Sequence, residues 1–192
     1  MQTASTVDLL ARAKQGSDAA LGLLYERCAG RLLAYIRLRM GRDLRTRLES
    51  RDILQATLLK SLTHLHELKG EQSESLMAWL ARIAEHEIRD RVDYQQRQRR
   101  DAAREVAMED ESPIAVKARS ALSQVIVNEE IARLEAALET LSPAHRDIIL
   151  LRKFEELTFP EIATRIGKSE DACRMLFARA MTSLTLAMGG GR

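Results

Sequence analysis

The sequence is short of the residues that break helices or staple small folds: nine glycines, three prolines and two cysteines in 192 residues. So little glycine and proline disfavours a turn-rich β fold, and no strictly alternating apolar run lasts beyond a few residues. Cys28 and Cys173 stand 145 positions apart without C-x-x-C spacing. That disfavours a disulfide framework or a zinc knuckle and points to a reducing cytoplasm. No run approaches the roughly 20 apolar residues that cross a bilayer, and the opening MQTASTVDLLARAK lacks the basic and apolar regions of a secretory signal. Neither membrane insertion nor export is therefore expected. A glycine-rich phosphate loop and a metal-ligand cluster are also missing. His64 and His66 are two apart and diverge on a helix, while His145, near Asp147, has no nucleophile at triad spacing. The chain is expected to be no enzyme and to hold no cofactor and no metal.

What remains is mostly helix-forming: Ala, Leu, Arg and Glu dominate. The net charge is only +2, but it is unevenly spread. Residues 1–100 carry 18 Lys or Arg and 13 Asp or Glu, a net of +5. Residues 101–135 carry a net of −4 and residues 136–192 a net of +1. Arginines cluster between 37 and 51 and again between 89 and 104. Each cluster fits a solvated helix face; together they favour phosphate contact, because guanidinium groups displace condensed counterions.

Periodicity predicts a helix over 7–14, then a second, capped by Ser17 and ending at Met40-Gly41, with Leu21, Leu24, Cys28, Leu32 and Ile36 on one stripe. Ser50 is read as the cap of a third helix reaching about residue 68, with Ile53, Leu54, Leu58 and Leu65 inward. Residues 70–75 read as a polar loop, followed by an amphipathic helix marked by Leu76, Trp79, Leu80, Ile83 and Ile88. Periodicity weakens from 101 to 127, around the acidic break Asp110-Glu111-Ser112-Pro113. The predicted fold is therefore all-α: two small helical domains, 1–100 and 128–192, joined by an acidic linker over 101–127.

The second domain holds the sharpest local pattern. Ser142-Pro143 is a cap followed by proline at the first helical position. Thr158 and Glu161 fit a capping box, Gly167 can adopt the left-handed conformation, and Ser169 can cap the next helix. That helix would bury Ala172, Cys173, Leu176, Phe177, Ala180 and Leu184 and expose Glu170, Asp171, Arg174 and Arg179. Helix, short turn, helix is the helix-turn-helix plan, whose second helix enters the major groove. Arginine can pair with guanine there, and a carboxylate can accept from cytosine. An ordinary capped helical hairpin fits the same local pattern.

The stretch LSPAHRDIILLRKFEELTFPEIATRIGKSEDACRMLFARAMTSL resembles the fourth conserved region of bacterial RNA polymerase sigma factors. The stretches SRDILQATLLKSLTHLHELKG and MAWLARIAEHEIRDRV are similar to their second conserved region. The order of the two, with no globular domain between, resembles the small extracytoplasmic-function (ECF) type. The resemblance implies a sigma factor that binds core RNA polymerase, recognises promoter DNA at −10 and −35 elements and promotes initiation; it also admits an anti-sigma protein as a further partner. It implies that Asp52, Ile53, Leu54, Gln55 and Leu58 belong to the core-docking helix. Gly70, Gln72 and Ser73, with Arg82, His86, Arg89 and Arg91 on the next helix, would engage the −10 element. Ser169, Glu170, Asp171, Arg174 and Arg179 would engage the −35 element.

The chain departs from the family pattern at several of these places. Ala56 replaces the usual acidic residue after Gln55, Leu58 and Leu68 replace frequent aromatics, and His86 replaces the usual Asn of the −10 helix. In the last helix Ala172 and Leu176 stand where Thr and Arg are frequent, so Arg174 and Arg179 carry more of the phosphate contact. The other reading of the residues is a helix-turn-helix regulator that binds duplex DNA without serving as a polymerase subunit.

Overall fold

The computed structural model describes residues 4–68, 73–100 and 129–189, and every regular element among them is helical. The chain divides into two compact units, residues 1–126 and 127–192. The linker expected over 101–127 lies outside the described residues.

In the first unit, α1 (Thr6–Lys14) packs on α2 (Asp18–Arg45), which packs on both α3 (Ser50–His64) and α4 (Ser73–Arg100). Ser5 caps α1 by accepting from the Asp8 N–H at 3.1 Å, and Ser17 caps α2 by accepting from the Ala20 N–H at 3.3 Å. Gly41, with φ 64 and ψ 175, interrupts the regular α2 ladder where the Met40-Gly41 junction was expected to end it. That backbone suits a residue without Cβ. Of the expected stripe, Leu24, Leu32 and Ile36 are buried in the core, as are Ile53, Leu54, Leu58, Leu76 and Leu80 on the two helices packed against α2, whereas Leu21 is half-buried. Cys28, expected in that core, is only partly covered.

A buried polar chain crosses this core. Tyr25 Oη and Ser61 Oγ are 2.7 Å apart, and Ser61 donates to the Leu58 carbonyl at 2.7 Å, which leaves the tyrosine as donor to the serine. Burial pushes the Tyr25 phenol up to about 12. Cys28 is raised to about 11 for the same reason.

Two local expectations need correction. Ser50 does not cap α3: Glu49 holds the extended N-cap backbone, Ser50 is already helical, and no side chain caps the helix. That helix closes at His64 into a short 3-10 turn, Leu65–Glu67. The loop expected over residues 70–75 does not reach 75, because α4 begins at Ser73; residues 70–72 lie outside the described residues.

The second unit comprises α5 (Glu129–Thr140), α6 (Pro143–Lys153), α7 (Phe159–Ile166) and α8 (Glu170–Gly189). α8 packs on the other three. Ser142 caps α6 by accepting from the His145 N–H at 3.3 Å, with Pro143 just inside the start. Leu138, Ile148, Leu150, Ile162, Cys173 and Ala180 form the core. Ala172 does not join it but is exposed. At about 100° per residue it sits nearly a quarter-turn beyond the stripe that Cys173, Ala180 and Leu184 hold inward.

Candidate nucleic-acid interface

The turn between α7 and α8 is built by local chemistry. The Glu161 carboxylate accepts from the Thr158 N–H and from its hydroxyl, both at 2.7 Å. These bonds fix the start of α7 and hold the Glu161 carboxyl below its usual pKa. Gly167 ends α7 with φ 66 and ψ 37, and Ser169 opens α8 by accepting from the Ala172 N–H at 3.2 Å. Glu155, buried beneath α7, takes Arg165 at 2.7 Å and fastens the preceding loop to that helix.

Of the residues expected to face DNA in α8, Asp171, Arg174 and Arg179 are exposed and Glu170 is half-buried. Arg174 is not a loose surface arginine. It pairs with Glu170 one turn earlier, and its guanidinium lies 4.8 Å from the centroid of Phe159. Arg152 of α6 approaches the same ring at 5.2 Å, while Phe177 meets it edge-on at 5.9 Å. Phe159 thus gathers cations from two helices at the start of α7. Sequence reasoning missed Arg152 and Phe159 because three separate helices bring this cluster together. It also missed Met175, which is 56% exposed and which helical phase alone places one turn after Asp171.

In the first unit, Asp52 is exposed and Gln55 half-exposed on α3. Ile53, Leu54 and Leu58 are buried and fix that helix against α2 and α4, so the open part of the expected docking set is polar. Leu68, at one of the positions where an aromatic is frequent, is buried as well. Lys60 of α3 is tied to Glu87 of α4 at 2.8 Å. On α4, Arg82, His86 and Arg89 are exposed, and their spacing of four and three places them on one face. Glu85 accepts from Arg89 at 2.9 Å and from Arg39 of α2 at 3.1 Å, which steadies that face. Arg91 is exposed too, but it follows Arg82 by nine residues, about two and a half turns, and falls on another side. Trp79 is 9% exposed and belongs to the core. Gly70 and Gln72 lie outside the described residues; Ser73 starts α4, and its side chain is not among those described.

Among the described residues no group of His, Cys, Asp and Glu could hold a metal, and no helix is long and apolar enough to cross a membrane. His145 Nδ1 lies 3.3 Å from the Ser183 hydroxyl, a contact that ties α6 to α8.

A capped helix-turn-helix with arginine on the open side of its second helix is the plan of modules that bind duplex DNA. Sequence comparison assigns residues 24–98 to sigma-70 region 2 and residues 131–184 to sigma-70 region 4. NccH, an RNA polymerase sigma factor of Alcaligenes xylosoxydans xylosoxydans, is 30% identical over 179 residues, covering 92% of this chain and 91% of NccH. The ECF RNA polymerase sigma factor SigD of Mycobacterium tuberculosis is 27% identical over 92% of this chain and 80% of its own. BldN of Streptomyces coelicolor, also an ECF sigma factor, is 26% identical over 95% of this chain, which spans 65% of BldN. The solved complex of CnrH with the cytosolic domain of CnrY covers 97% of this chain and 99% of its own at 21% identity and a TM-score of 0.47.

The chain belongs to the sigma-70 family of RNA polymerase sigma factors and is of the ECF type. As such it is a DNA-binding transcription factor that initiates transcription together with core RNA polymerase.

Proposed function

We propose a division of labour between the two units. Residues 1–100 dock on core polymerase and engage the −10 element, residues 101–127 serve as linker, and residues 128–192 read the −35 element as duplex. The observation that carries this reading is the exposed, arginine-bearing side of α8 at the open end of a capped helix-turn-helix. In α8, Arg174 pairs with a guanine edge and Arg179 supplies a cation, while Asp171, which repels phosphate, faces base edges.

In the first unit, Asp52 and Gln55 form the polar docking face on core polymerase. The segment containing Gly70 and Gln72, with Ser73 at the helix start, captures an unstacked base of the −10 element. Arg82, His86 and Arg89 contact the adjoining backbone, and Arg91 reaches it from another side. With a single tryptophan, itself in the core, base capture relies on hydrogen bonds and apolar pockets more than on a broad stacking platform. The protein has no catalysis of its own and acts in the cytoplasm, where an anti-sigma protein is its further partner.

A regulator acting through the helix-turn-helix alone would not need the Asp52–Gln55 face. The test is binding of the full chain to core polymerase. Asp52→Ala weakens the complex while leaving thermal stability within about 0.5 kcal/mol, as for an exposed side chain. Unchanged core affinity in both Asp52→Ala and Gln55→Ala overturns the docking assignment.

A further inference from the structure

We infer that Met175 is a specificity-determining residue of α8, and that it reads the C5-methyl group of a thymine in the −35 duplex. The inference rests on the proposal that the second unit reads that element. At about 100° per residue, Asp171, Met175, Ala178, Arg179 and Thr182 fall opposite the stripe that Cys173, Ala180 and Leu184 bury. All five are exposed, and Met175 is the only large apolar side chain among them, with 56% of its surface open. Leu186 and Met188 are the other exposed large apolar residues of α8. They begin eleven residues further on, about 16 Å along the axis, beyond the N-terminal turns that enter a groove.

The chemistry around Met175 narrows what it can meet. Asp171 lies one turn before it and Arg179 one turn after it, so the face carries an acceptor, an apolar group and a donor in sequence. The carboxylate disfavours phosphate, which turns this face towards base edges. On the major-groove edges the one apolar substituent that projects from a base is the thymine methyl; the other groups that distinguish the base pairs there are donors and acceptors. A methionine side chain is unbranched and polarizable, so it can follow that methyl without exact placement. Arg174 lies to the side of this face, held by Glu170 and Phe159. A guanine contact from Arg174 and a methyl contact from Met175 would therefore fall on neighbouring parts of the site.

The test uses holoenzyme assembled from the full chain and core polymerase. A promoter pool randomised at −35 gives the preferred element. Each of its thymines, on either strand, is then replaced singly by deoxyuridine, which removes only the methyl. At one position the wild-type holoenzyme loses about three- to fivefold in promoter competition, the scale of one buried methyl. Met175→Ala weakens the thymine promoter by a similar factor and no longer distinguishes thymine from uracil, whereas Met175→Leu still does. A thymine-free selected element, indifference of the wild type to uracil at every position, or a Met175→Ala variant that still prefers thymine overturns the assignment of Met175. A pool that yields no −35 preference at all also overturns the reading of the second unit on which it rests.

Discussion

Arg174 is held from two sides before any DNA arrives, by the Glu170 carboxylate and by the ring of Phe159. A planar group already fixed in place gives up less freedom when it forms its two bonds to a base edge. Arg174→Lys keeps the charge but loses the plane. Promoter competition should therefore show Arg174→Lys losing −35 discrimination nearly as fully as Arg174→Ala, by about 1–3 kcal/mol. Equal discrimination by lysine and arginine would reduce Arg174 to a point charge. Within the first unit, Tyr25 and Cys28 make a separate prediction about alkaline stability. Burial raises Tyr25 from 10.0 to about 12 and Cys28 from 9.0 to about 11. The unfolded chain thus releases these protons at lower pH than the folded one. Their contribution is complete below about pH 9 and is lost as pH rises through the folded values. Denaturant midpoints should fall across that alkaline window, and Tyr25→Phe with Cys28→Ala should flatten the fall. Tyr25→Phe also removes a buried hydrogen bond and should cost about 0.5–1.5 kcal/mol at neutral pH.

At the scale of elements, Gly167 shows how a single backbone position sets the direction of α8. Its φ is 66, and a Cβ placed there would meet nothing within 4 Å, so the cost of Gly167→Ala is conformational. Thermal unfolding should register about 1–2 kcal/mol, with −35 recognition weakened further if the turn opens. On α3, Leu54→Ala should cost about 2–5 kcal/mol through a cavity, against almost nothing for Asp52→Ala.

The signals legible in the sequence were those completed within a few residues. Ser142-Pro143, Thr158 with Glu161, Gly167 and Ser169 each form their bond or turn inside one helical turn. Ser50 failed as a cap because the Glu49 backbone takes the extended conformation one residue earlier. Ala172 reads as inward in the sequence because an apolar residue beside a stripe does not reveal which edge of the stripe packing covers. The Arg152, Phe159 and Arg174 cluster left no local pattern, since its members lie on three helices and meet only after folding. Of the residues expected at the −10 element, Arg82, His86 and Arg89 share one exposed face of α4, from which helical geometry separates Arg91.

For the whole molecule, the net charge of +2 averages a basic first hundred residues, an acidic middle and a nearly neutral end. Bulk attraction to DNA is therefore weak, and on the proposed division of labour selectivity comes from placed side chains on both helical units while polymerase holds them to the promoter. The most direct test is transcription in vitro with the full chain, core RNA polymerase and a pool of promoter sequences. New start sites should appear only when the chain is present and share paired −10 and −35 elements, the −35 preference shifting in Arg174→Ala. A chain that neither co-purifies with core polymerase nor adds any start site to those of core alone would contradict that expectation.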